Sequence, residues 1–156
     1  MNEFNKIDDF FKNQNTSEIQ NVSLFRNGNG YELFYKYNIK KTDNLFEVSY
    51  KFNYTVKYFS SLLNAFSYCI FDHRNKIPMA QKIENLDFSL RSLNFEVTRY
   101  NKLISNTRSS DESLIYSAKL NESMVKLSSV KKEISYYINE SINWQEKQFK
   151  LKNKSQ

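Results

Sequence analysis

A chain of 156 residues, 40% hydrophobic and 16% aromatic, has the length for one domain with a buried core and is too apolar to be disordered by composition. Its net charge of +6, from 23 basic and 17 acidic residues, permits contact with nucleic acid or an acidic protein without requiring either. A single cysteine excludes an internal disulfide framework and points to a reducing compartment. The first residues show no basic segment followed by an apolar one, and no run of about 18 apolar residues occurs, so a cytoplasmic location without a membrane span is expected.

Along the chain, Phe4, Ile7, Phe10 and Phe11 suggest a short helix over 4–14. Both glycines fall in Asn27-Gly28-Asn29-Gly30, a tight-turn sequence. Before it, 22–26 reads as one strand. After it, Tyr31, Leu33, Tyr35, Tyr37 and Ile39 alternate with more polar residues at period two, and so do Phe46, Val48, Tyr50, Phe52, Tyr54 and Val56 beyond a second turn at 40–44. These segments predict a three-stranded antiparallel meander over 22–57. Phe59, Leu62, Leu63, Phe66, Cys69, Ile70 and His73 then sit at helical spacing and predict a helix over 59–74, capped by Ser60 or Ser61.

Pro78, the one proline, opens the most regular pattern in the chain. Met79, Ile83, Leu86, Leu90, Leu93, Val97, Tyr100 and Ile104 follow one another at steps of four and three, an average of 3.5 residues. Such a seam keeps one face of a helix, here 78–106, turned toward a partner helix. Asp87 and Arg91 are spaced for an ion pair on it. Ser109 to Glu112 has capping-box spacing and starts another helix over 110–148. Its stripe is Leu114, Tyr116 or Ser117, Leu120, Met124, Leu127, Val130, Ile134, Tyr137 or Ile138, and Ile142, with a shift of phase near Val130. A lysine-rich tail over 149–156 is expected to fray. The fold class is therefore α+β in one domain: a three-stranded antiparallel meander near the N-terminus packed with helices, followed by a long antiparallel helical hairpin.

The chain is poor in catalytic groups. Cys69 and His73 are its only cysteine and histidine, and their four-residue spacing reads as a core thiol and a helix-end imidazole rather than a nucleophile and its base. Zinc-type sites need more ligands than these, and two glycines in one turn leave no phosphate loop. No enzyme activity, metal or cofactor is expected. Binding is left, and the candidate contact residues are Asn27, Asn29, Tyr31, Tyr35, Lys36, Tyr37, Lys51, Tyr54 and Lys57 on or beside the sheet, with Arg91 and Arg99 on the long helix. Sheet aromatics beside lysines suit either a protein hot spot or base stacking with phosphate contacts.

Lys outnumbers Arg by 18 to 5, and Asn is abundant while Ala, Gly and Pro together number six, the bias of an AT-rich coding sequence. In this bias, its size, its lack of catalytic groups and its layout of a meander with helices, the chain resembles the small anti-CRISPR inhibitor proteins of phages and mobile elements. The resemblance covers overall layout and rests on no motif. It implies a non-enzymatic protein that binds a larger protein, a nuclease effector complex, and blocks it. The reading from another class is a nucleic-acid-binding protein of a plasmid or phage. A homodimer zipped along 79–104 is a further expectation.

Overall fold

The computed structural model describes residues 24–27, 30–53 and 55–154. The expected helix over 4–14, Asn29, Tyr54 and the last two residues lie outside them. The architecture is α+β, an antiparallel sheet followed by helices: β1 (Leu24–Asn27), β2 (Gly30–Leu33), β3 (Tyr37–Lys41), β4 (Phe46–Tyr50), β5 (Val56–Phe59), α1 (Leu62–His73), α2 (Ile77–Asn106) and α3 (Ser110–Lys154). The strands pair in sequence order, each antiparallel to the next.

Five strands replace the three expected because two of the expected strands fold back on themselves. The stretch 31–39 turns at Phe34–Lys36, where Phe34 and Tyr35 adopt φ of 58° and 56° and the Lys36 N–H bonds to the Leu33 carbonyl at 3.1 Å. Such a left-handed pair is the geometry of a type I′ turn, which ordinarily recruits Asn or Gly. Here burial compensates: Phe34 packs with its ring stacked on His73 at 3.7 Å and edge-on to Trp144 at 6.2 Å. The stretch 46–56 breaks after Tyr50, and Asn53 closes its loop by accepting the Thr55 N–H at 2.8 Å. At Gly30 glycine is required, because a Cβ there would collide with the Ile39 carbonyl of β3.

Cross-strand pairing sets which residues share a face. Tyr31 pairs with Ile39, Leu33 with Tyr37, Tyr37 with Tyr50, Ile39 with Val48 and Phe46 with Phe59. All of these point to one face, and α1 covers it. Ser61 caps α1, its Oγ accepting the Asn64 N–H at 3.1 Å, and Phe59, expected in this helix, is the last residue of β5. Every residue from Leu62 to Phe71 is buried. A helix apolar all round is an interior helix, and α1 is wedged between the sheet and the two long helices.

The helix α2 carries Pro78 in its first turn and runs antiparallel to α3, as the pairs Lys82–Glu133 (3.1 Å) and Ser123–Glu96 (3.0 Å) require. Thr107 ends α2, and Ser109 Oγ accepts the Glu112 N–H at 3.3 Å at the start of α3. Glu112 completes this cap by accepting the Thr107 hydroxyl at 2.8 Å. The tail expected to fray stays helical to Lys154. No helix-breaking residue stands in it, and its lysines suit a helix C-terminus.

Candidate interaction surface

The long seam is internal. Ile83 is fully buried, Leu86, Leu90 and Leu93 are buried, and Met79, Val97, Tyr100 and Ile104 are half-buried. The complementary stripe on α3 differs from the one expected. Leu114 and Met124 are 71% and 51% exposed. Tyr116, Leu120, Ser123, Leu127, Val130, Ile134, Tyr137 and Ser141 turn inward at unbroken steps of four and three, and the expected Ile138 and Ile142 pack against the core beside them. Ser123 and Ser141 are buried. The apparent change of phase near Val130 came from looking for an apolar residue where a serine holds the seam position.

Asp87 and Arg91, expected as an ion pair along the helix, form the most heavily bonded polar node among the described residues. The Asp87 carboxylate is fully buried. It accepts the Ser60 N–H at 2.9 and 3.0 Å, the Ser60 hydroxyl at 2.7 Å, the Asn64 amide at 2.7 Å and Arg91 Nε at 3.1 Å. These bonds tie the β5–α1 junction to α2.

The residues expected to touch a partner do not converge. Tyr31 is 4% exposed and Tyr37 fully buried, both in the core beneath α1, so the rings expected on the surface are interior. The Tyr37 hydroxyl donates to Asp72, and the Tyr50 and Tyr68 hydroxyls bond to each other at 2.8 Å. Burial, then the Asp72 bond, push the Tyr37 hydroxyl far up. Burial alone dominates at Tyr50, whose pKa rises to about 12, and burial with the Tyr50 bond raises Tyr68 well beyond its usual range. These hydroxyls stay protonated and act as packing links.

Tyr35 is exposed at the β2–β3 turn, next to Lys36, which lies 3.9 Å from Asp72 and 5.2 Å from the Tyr37 ring. Lys51 pairs with Glu32 on the sheet face turned away from α1. Lys57 bonds Glu84 of α2 at 3.2 Å. Arg91 belongs to the Asp87 node, and Arg99 lies over the Tyr100 ring at 5.1 Å. Asn27 pairs with Gly30 at the end of β1. The set is thus dispersed over the sheet, the β5–α2 edge and the long helix.

Cys69 is fully buried, and burial followed by the nearby Asp72 raises its thiol pKa well above the usual value. A thiol so held is not a thiolate at neutral pH. His73 ends α1 stacked on Phe34, and burial with the Lys36 charge lowers its pKa, so the imidazole is neutral there rather than a cation on the helix dipole. Among the described residues, no cluster of three His, Cys, Asp or Glu side chains forms a metal-ligand set, and no helix is long and apolar enough to cross a membrane.

A different surface emerges on the hairpin. Beyond Leu93 in α2 and before Ser123 in α3, no described residue is buried. Across this distal part and the two residues after Ser123, the outward face of α3 carries Leu114 and Val125, each 71% exposed, aligned through Ala118 and Asn121 at steps of four, three and four. Ile115, 54% exposed, flanks them. Charges over 94–125 balance: Arg99, Lys102, Arg108 and Lys119 against Glu96, Asp111, Glu112 and Glu122. The sequence signal for this stripe was present but masked, because assigning Leu114 to the seam removed it from the surface.

Comparison with protein-family models, curated proteins and solved structures finds no match.

Proposed function

We propose that this chain is a non-catalytic protein-binding module that engages a larger protein through the distal half of its helical hairpin. The observation that carries this is the exposed apolar stripe of Leu114 and Val125 on a segment whose charges cancel. Exposed apolar side chains aligned on one helix face, rimmed by polar residues, mark protein contacts. A charge-balanced arm gives little attraction to a phosphate backbone. Of the sheet aromatics that would stack bases, Tyr31 and Tyr37 are instead spent on the core.

Inhibition of a CRISPR–Cas nuclease is the specific form of this function that the resemblance to anti-CRISPR proteins implies. A rigid two-helix arm suits that task, since it can occupy a channel without enzymatic chemistry. The test is affinity capture from lysate of the organism that encodes the chain, with and without phage infection, using the parent and a Leu114→Ser/Val125→Ser variant. A protein retained by the parent and lost by the variant supports the module. Recovery of nucleic acid alone, or equal recovery by both chains, sinks it. If the captured protein is a nuclease, a cleavage assay with and without the chain decides inhibition.

A further inference from the structure

We propose that the distal arm of the hairpin is enclosed by its partner: it enters a protein cleft with apolar walls and with carboxylates on the wall that faces α2. This rests on the reading of the arm as a protein-binding segment and adds the shape and charge of what receives it.

Exposed apolar side chains stand on every side of the arm. At about 100° per residue, Leu114 and Val125 lie opposite the α3 seam of Tyr116, Leu120 and Ser123, whereas Ile115 and Met124, 54% and 51% exposed, lie about a quarter-turn to either side of it. On α2, Phe95, 69% exposed, lies opposite the seam of Leu93, Val97 and Tyr100. Both outer sides and both broad faces of the arm therefore carry an exposed apolar group. The Ser123 hydroxyl, donating to Glu96 at 3.0 Å, sets Phe95 level with Met124 and Val125. At that height the apolar girdle spans both outer sides and one broad face. A partner lying flat on the arm would cover one side and leave the others in water.

Area leads to the same shape. From Asn94 to the turn at Thr107 the arm is about 20 Å long, and two helices side by side are about 20 Å wide and about 10 Å deep. One broad face offers about 400 Å² and the whole circumference about 1,200 Å², against roughly 800 Å² per partner in a specific interface. Contact with a single face falls short of that figure, and enclosure reaches it. Charge specifies the walls. Arg99 and Lys102 continue the line of Phe95 along the outer side of α2, both exposed, and neither is ion-paired among the described residues. The acidic side chains of the arm lie off this line: Glu96 bonds Ser123, Glu112 bonds Thr107, Glu122 pairs with Lys126 at 3.2 Å, and Asp111 stands at the tip. A wall closing on α2 therefore needs carboxylates, because covering two cations without partners costs more than the contact gains.

Photo-crosslinking of the full chain tests this. The photoreactive residue p-benzoylphenylalanine replaces Phe95, Leu114 or Met124, one per variant, and each variant is irradiated in lysate of the organism that encodes the chain. The expected result is one and the same protein joined from all three positions, with the attachment points on different walls of one cleft. Arg99→Glu/Lys102→Glu should lower the yield from position 95 about tenfold or more, with unchanged helical circular dichroism because both side chains are exposed. A protein joined from position 114 while positions 95 and 124 join none overturns enclosure and leaves the binding module standing. Different proteins joined from different sides, nucleic acid joined from position 95, or a yield unmoved by the charge reversal overturn it as well. If no position joins any protein, and the parent and the Leu114→Ser/Val125→Ser variant capture the same material, the binding module itself falls and enclosure with it.

Discussion

The two ends of the helical hairpin follow the same sequence rule and reach different depths. At the proximal end, Ala80, Ile83, Leu86, Leu90 and Leu93 of α2 and Leu127 and Ile134 of α3 are buried. At the distal end, Val97, Tyr100 and Ile104 face Tyr116 and Leu120, and each is only half-buried. The cause is the third layer. With 12 residues α1 is about 18 Å long, whereas α2, with 30, spans about 45 Å. Where α1 and the sheet stand behind the seam, water is excluded from both flanks. Beyond them, two helices shield only the line between their axes. A heptad pattern therefore states which face is turned inward, and neighbouring elements decide how deep that face lies.

The largest test of this contrast is Asp87→Ala. Removing the carboxylate leaves the buried Asn64 amide unpaired and takes a partner from the Ser60 N–H and from the partly exposed Arg91. The expected loss is about 3–5 kcal/mol in chemical denaturation. A loss below about 1 kcal/mol would remove Asp87 as the tie between layers. Next, Ile134→Ala, at 3% exposure, should cost about 2–4 kcal/mol, while Leu120→Ala on the same face of α3 costs about 1 kcal/mol or less, because that side chain is only partly buried. Equal losses would show that depth does not differ along the hairpin. Amide hydrogen exchange sharpens the same point: amides of 127–141 should exchange near the rate of global unfolding and those of 97–122 faster.

Alkaline pH probes the proximal end alone. The hydroxyls of Tyr37, Tyr50 and Tyr68 all have raised pKa values in the fold. A group that prefers its protonated form when folded contributes stability that is fully present below its unfolded pKa, near 10, and is lost as pH rises above it. Stability should be unaffected by these groups at neutral pH and fall from about pH 10 upward. Absorbance at 295 nm should record their ionisation either near pH 12 and above or together with unfolding.

The α+β class, the helix boundaries at Pro78 and Ser109, and the pairing of the two long helices were legible because each rests on local chemistry: a cap, a proline or a period. The number of strands was not. Leu33 pairs with Tyr37 across the turn, so odd-numbered residues face inward on both sides, and the alternation runs through a reversal without a trace. Phe34 and Tyr35 take left-handed φ there without Gly or Asn to announce it. Ser123 and Ser141 hid two seam positions because apolar periodicity does not count serine. Asp87 and Arg91 have the spacing of a surface pair, and spacing alone does not reveal that α1 covers that flank of α2. The inward tyrosines have a related origin: aromatic content identifies strands well, but which face is buried depends on which side α1 docks.

The smallest expected effect on stability carries the most functional weight. Leu114→Ser and Val125→Ser, separately or together, remove side chains that are 71% exposed, and such surface substitutions change stability by about 0.5 kcal/mol or less. Thermal denaturation of the double variant should therefore overlay the parent. If partner capture is nonetheless lost, the distal stripe is a contact surface and its exposure is a requirement of binding. If capture persists and stability is unchanged, the distal hairpin is a spacer and the partner is held elsewhere. A marked fall in stability would carry a third meaning: Leu114 and Val125 then contribute to the fold itself, and the contrast between a packed proximal end and an open distal arm would have to be withdrawn.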